Sequence, residues 1–177
     1  MDFKYRLANL EDIPAIKGLM EQSITGLLGN YVNEEELEAS FESMGLDDQL
    51  ILDKTYFLID FEGKLVGCGG WSNRMTLFGG NHTPNRSNDF LNPNDDAAKI
   101  RAMYTHPDWA RKGIGTFILD LAEKEASNAG FKRFELMATL SGIHLYKARG
   151  YKIDDEIIYK SKKSNSVKMF KMTKLLK

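Results

Sequence analysis

The segment Ala110-Arg111-Lys112-Gly113-Ile114-Gly115-Thr116 constrains this chain more than any other. It follows the run Ile100-Arg101-Ala102-Met103-Tyr104-Thr105, which reads as the end of a strand. It opens an amphipathic helix in which Ile114, Phe117, Ile118, Leu121 and Ala122 recur at helical spacing and Gly130 ends the run. A strand, a glycine-rich turn and a helix N-terminus in that order make a phosphate cradle. Backbone N–H groups of the first helical turn have no partner inside the helix, and they point outward with the positive end of the helix dipole. Gly113 and Gly115 remove the Cβ atoms that would hold a phosphate off that backbone, and Arg111 and Lys112 add positive charge. The ligand that fits is a small molecule carrying phosphates.

Two other phosphate motifs are excluded. No G-x-x-x-x-G-K-S/T occurs, and a G-x-G-x-x-G fingerprint would need glycine where Ile118 stands. With 177 residues, 42% apolar and 28% charged, the chain reads as one soluble domain over residues 1–177. A net charge of −1 argues against nucleic acid as the main partner. The charged N-terminus does not read as a signal peptide, and no apolar run has the length of a membrane span. A lone cysteine, Cys68, cannot form an internal disulfide, so the expected compartment is cytoplasmic.

Residues 3–8 read as a strand. A helix starts at Asn9 or Glu11-Asp12, with Pro14 in its first turn. Asn33 caps a second helix that turns Leu37 and Phe41 inward. Residues 55–61 and 64–71 form a hairpin around Glu62-Gly63. Residues 72–96 carry no regular pattern, as functional loops often do. Strand 98–105, the long helix, strand 132–139, a short helix capped by Ser141, and strands at 151–160 and 166–175 complete the chain. The fold class is α/β (α+β) with a mixed sheet.

Met103 to Gly115 resembles motif A of the GNAT superfamily of N-acetyltransferases, Gln/Arg-x-x-Gly-x-Gly/Ala, with Ala110 at the first position. Leu145-Tyr146-Lys147-Ala148-Arg149-Gly150-Tyr151 resembles the family's Leu/Phe-Tyr-x-x-x-Gly-Phe/Tyr signature. The opening Tyr5 to Asp12 and the closing Val167 to Lys174 resemble its first and last elements. The resemblance implies a mostly antiparallel sheet of six or seven strands with about four helices, its central parallel strands, 98–105 and 132–139, splayed apart. It implies acetyl-CoA as cosubstrate, lying in that gap. Arg111, Lys112, Gly113, Ile114, Gly115 and Thr116 would hold the phosphates. Backbone groups of Met103 and Thr105 would pair with the pantetheine amides as an added strand does. A strand N–H near Met103 or Tyr104 would polarise the thioester carbonyl. Thr139 stands where many members use an asparagine to bond the CoA arm. Dimers are common in that family, which leaves a homodimer open.

The implied reaction moves an acetyl group from coenzyme A to an amine. Tyr146 matches the family tyrosine beside the sulfur and is the candidate acid. Candidate bases are Glu34, Glu35, Glu36, Asp95, Asp96 and His144, and no spacing selects one. Cys68 reads as a buried, inert thiol. No His, Cys, Asp or Glu cluster has metal-ligand spacing.

Eight acids and no base lie between Asn33 and Asp53, and seven lysines and no acid between Lys160 and Lys177. The acids could attract a cationic amine or simply be solvated. Trp71 and Phe78 could wall an acceptor pocket or simply pack under the 72–96 loop. The expected activity is N-acetylation of a primary amine on a small molecule. The alternatives are a protein or peptide N-acetyltransferase and a non-catalytic acyl-CoA sensor.

Overall fold

The computed structural model describes residues 2–176. Seven strands form one sheet: β1 (Lys4–Leu7), β2 (Tyr56–Phe61), β3 (Lys64–Ser72), β4 (Ala98–Thr105), β5 (Arg133–Ala138), β6 (Lys152–Lys160) and β7 (Ser166–Leu175). Their spatial order is β1-β2-β3-β4-β5-β7-β6, and only the β4–β5 pair is parallel. The helices are α1 (Ile13–Leu27), α2 (Glu34–Ser43), α3 (Asp48–Leu52), α4 (Ile114–Asn128) and α5 (Ile143–Ala148). Among the described residues, no helix is long and apolar enough to cross a membrane.

Local chemistry sets the helix starts. Asn9 and Asp12 form a capping box on a short 3-10 turn that runs into α1. Asn33 and Glu36 form a second box on α2, with both reciprocal bonds at 2.9 Å. Asp47 accepts from the Gln49 N–H at 3.1 Å and starts α3, which the sequence reading did not foresee. With five residues, α3 is too short to declare a period. Burial of Leu50 and Ile51 holds it in place.

Side chains alternate across the sheet. Tyr56, Leu58 and Cys68 face α1 through Ile16, Leu19, Met20 and Ile24. Phe57 and Ile59 face α4 through Ile114, Ile118, Leu119 and Ala122. Two expectations are corrected, and one open alternative is decided. Phe41 is 40% exposed rather than inward. Gly142, not Ser141, precedes α5, and Ser141 Oγ instead meets Thr139 Oγ1 at 3.1 Å. Trp71 packs edge-on against Phe131, 6.0 Å between centroids, within the α4-side core.

The central strand is bent. Cys68 pairs with Tyr104 but Gly70 with Arg101, so Ala102 and Met103 together oppose Gly69. This bulge sets Ala102 at φ 50°, a left-handed conformation unusual for a side-chain-bearing residue. Beyond Ala98↔Phe134 and Lys99↔Glu135, β4 and β5 pair no further, and the strands part. A Cβ on Gly69 would lie 2.7 Å from Ile118 Cγ2 and 2.9 Å from Met103 Cγ, so glycine here lets α4 press onto the bulge. The fully buried Tyr56 hydroxyl donates to the Ala102 carbonyl at 2.8 Å and pins the bend.

Where β4 and β5 still pair, Glu135 is held by Lys99 and, at 2.6 Å, by Lys171. Burial alone would raise the Glu135 carboxyl, but hydrogen bonds from Lys171 and Lys99 override it and hold it below the usual carboxylate range.

Two outcomes are expected. Tyr56→Phe should cost about 1–3 kcal/mol in denaturant unfolding, because the Ala102 carbonyl is left buried and unpaired. A carboxyl lowered by folding stabilises above its unfolded pKa, and that contribution is lost as pH falls through the folded value. Wild-type stability should therefore fall below about pH 4, and less steeply in Glu135→Gln.

Candidate active site

The turn from the short 3-10 helix Pro107–Trp109 into α4 uses two left-handed positions, Arg111 at φ 62° and Gly113 at φ 90°. Gly113 precedes α4 without any side-chain cap. The first intrahelical bond runs from the Phe117 N–H to the Gly113 carbonyl at 2.9 Å. The N–H groups of Ile114, Gly115 and Thr116 lie before it and remain free for an anion. The glycines divide their roles. Gly113 supplies the backbone conformation, whereas a Cβ on Gly115 would meet Leu145 Cδ2 at 2.9 Å, so that glycine lets α5 close on α4.

This cradle opens into a cleft of about 650 Å³ between α1, β4, α4 and α5. Met103, Tyr104, Thr105, Arg111, Gly113, Ile114, Gly115, Thr116, Thr139 and Tyr146 all line it. Lys112 does not, since its ammonium sits 4.6 Å from the Trp109 ring centroid. The His106 N–H bonds the Val66 carbonyl of β3, so Met103 and Thr105, at alternate positions, turn their backbone groups toward the gap. Ser23 Oγ on α1 accepts from the Thr105 N–H at 3.3 Å.

Behind Met103 the cleft meets a chamber of about 80 Å³. The two share Met44, Met103, Tyr104, Thr139 and Tyr146. Half-buried Tyr146 donates from its hydroxyl to Met103 Sδ at 3.8 Å. Burial pushes that hydroxyl up to about 12, so it keeps its proton through neutral pH. Burial likewise pushes the Cys68 thiol up to about 12, and Tyr56 covers it at 3.3 Å. It is a poor nucleophile there.

Five of the six candidate bases lie elsewhere. Glu36 is spent on its cap, and Glu34 and Glu35 are exposed beside it. Asp95 and Asp96 bind Asn92 before the far end of β4, about 25 Å of strand away from Thr105. His144 lines the cleft but is exposed. Among the residues lining the chamber, the titratable side chains are Arg101, Tyr104 and Tyr146.

Arg101 is the residue that sequence reasoning passed over. It is 2% exposed and donates to the Thr76 and Gly79 carbonyls at 2.8 Å and to Asp47 at 3.1 Å. Arg86 takes the other Asp47 oxygen. Burial pushes the Arg101 guanidinium down and Asp47 pulls it back. Leu77 and Phe78, between its two carbonyl partners, and Gly79 itself line the chamber. The available signal was a lone cation inside the apolar run from Ile100 to Met103.

The family model of the acetyltransferase (GNAT) family matches residues 23–151. The chain belongs to this family. It is thus an acetyltransferase, and the cradle and splayed strands lie inside the matched segment. No curated protein matches it. A GCN5-related N-acetyltransferase from Rhodopseudomonas palustris superposes with a TM-score of 0.73 at 20% identity, covering 99% of this chain and 97% of that one. The PaiA N-acetyltransferase of Thermoplasma acidophilum, solved with coenzyme A, gives 0.65 at 16% identity over 99% of each chain. The ribosomal-protein-S18-alanine N-acetyltransferase of Escherichia coli gives 0.60 at 14% identity over 99% and 94%. At these identities the likeness is one of fold.

In this acetyltransferase, removing Arg101 should release the 76–79 loop while leaving the phosphate cradle in place. Arg101→Met should raise the acceptor KM by about tenfold or more and change the acetyl-CoA KM by less than about twofold. Initial rates with each substrate varied in turn check this split.

Proposed function

We propose that residues 1–177 act as one acetyl-CoA-dependent N-acetyltransferase domain that acetylates the primary amine of a small molecule by direct attack in a ternary complex. The observation that carries the reading is the alignment of three parts in one cleft: the uncapped α4 N-terminus, the unpaired edge of β4, and the Tyr146 hydroxyl beside Met103. Acetyl-CoA supplies an acyl group already activated as a thioester.

The residues divide the remaining work. The Ile114, Gly115 and Thr116 N–H groups take the phosphates, and Arg111 adds charge beside them. Met103 offers backbone bonds to the pantetheine arm, and so does the Thr105 carbonyl. Tyr146 passes its proton to the departing thiolate and regains one from solvent. As the C–N bond forms and the C–S bond breaks, the amine proton leaves through water, because no carboxylate or imidazole is among the chamber's lining groups. A small acceptor is supported by the clamp around the chamber: Glu38 and Glu42 of α2 bind Tyr159, Lys162, Lys163 and Asn165 of the β6–β7 hairpin. The single cysteine, buried and unpaired, supports a reducing, cytoplasmic setting.

The test is CoA-thiol release from acetyl-CoA across a panel of amines, amino acids and N-terminal peptides. Tyr146→Phe should lower kcat by about a hundredfold with little change in the acetyl-CoA KM. With Tyr146 raised to about 12, the wild-type rate should climb between about pH 7 and pH 9 as the acceptor deprotonates, with no alkaline fall from Tyr146 below about pH 11. An unchanged Tyr146→Phe rate would remove this residue from the chemistry. Acetyl-CoA binding without release for any amine would make the chain an acyl-CoA sensor.

A further inference from the structure

The chamber behind Met103 has a chemical character of its own. Met44, Leu77, Phe78, Met137 and Met169 line one part of its wall, and Ser43, Thr139 and the Tyr104 and Tyr146 rings complete it without adding a charge. Phe78 is fixed edge-on by Tyr159, with centroids 6.1 Å apart, and Tyr159 in turn donates to Glu42 at 2.9 Å. The thioether side chains are soft enough to fit apolar groups of varied outline. The charged side chain on the wall, Arg101, is already spent on Asp47 and two loop carbonyls.

The nearby acids are spent as well. Asp47 holds Arg101 and Arg86 and starts α3. Glu42 accepts from the Tyr159 hydroxyl and the Lys162 N–H. A second ammonium on the acceptor would leave water with no anion on the chamber wall to meet it, and a carboxylate beside the amine would find no free cation there. An apolar remainder costs nothing of this kind and gains from burial.

We propose that the acceptor is a monoamine carried on a compact apolar group, an alkyl or arylalkyl amine, and that the chamber discriminates against a second charge. This rests on the transferase reading above. The amine nitrogen gains the acetyl carbon and loses a proton to water, and the sulfur leaves with the Tyr146 proton. The product is a neutral amide that leaves no charge in the chamber.

The test uses the full chain at saturating acetyl-CoA with matched acceptors: pentylamine against cadaverine, and phenethylamine against phenylalanine. The apolar monoamine of each pair should exceed its partner in kcat/KM by about tenfold or more. Equal or better turnover of cadaverine or phenylalanine overturns the proposal while leaving the transferase standing. If no amine is acetylated, the transferase reading fails, and binding decides the chamber separately. With CoA present, N-pentylacetamide should bind at least about tenfold more tightly than N-acetylcadaverine by calorimetry, and the reverse order overturns the proposal. Met137→Glu sets a carboxylate in the wall and should move the cadaverine-to-pentylamine ratio up by about tenfold. Met169→Glu does the same from β7. An unmoved ratio in a folded variant of either kind overturns the proposal.

Discussion

Everything in the site depends on the bend in β4. Placing Ala102 in a left-handed conformation costs conformational energy that the surroundings must offset. They do so from three directions: Tyr56 bonds the bulged carbonyl, Gly69 makes room beneath, and Ile118 presses from α4. A straight β4 would continue pairing with β5 and close the gap. Because it turns away after Lys99, its edge toward β5 has no strand partner beyond that point. Unpaired strand edges are a liability elsewhere, and here they become the bed for an extended ligand. The same contacts that force the bend also seat the α4 N-terminus beside it.

Charge in this chain is largely self-directed. Of the acids between Asn33 and Asp53, Glu36 caps a helix, Glu38 and Glu42 bind the β6–β7 hairpin, Asp47 holds two arginines, and Asp53 holds Arg74. The C-terminal lysines answer them or other acids: Lys163 meets Glu38, Lys168 meets Glu156, Lys171 meets Glu135 and Lys174 meets Glu123. Much of the acidic and basic runs is thus engaged within the fold, part of it beside the walls of the site. Their value lies in geometry more than in net stability, since partly buried ion pairs roughly offset their own desolvation.

The sequence made the phosphate side legible because that chemistry is local. A glycine turn, a helix start and an amphipathic period all lie within one stretch, from Ala110 to Gly130, and each has a short-range signature. The capping residues Asn9 and Asn33 were readable for the same reason. The acceptor side was not, because its parts are long-range. Arg101 meets Asp47 across 54 positions, and Met44, Met137 and Met169 converge from three distant segments. Phe41 was misread because a helical period identifies a stripe without saying how wide the buried part is. Trp71 stayed open between pocket wall and packing because strand alternation sends neighbours to opposite faces, and the bulges shift that parity.

The clamp between α2 and the β6–β7 hairpin also orders the site in time. Tyr159 lies 117 positions after its partner Glu42, and Asn165 lies 127 after Glu38. Contacts so distant form late, since the chain between them must first be gathered. On a ribosome the cradle and β4 emerge well before the hairpin that completes the chamber. The hairpin that closes the chamber is therefore the last part of the site to be translated.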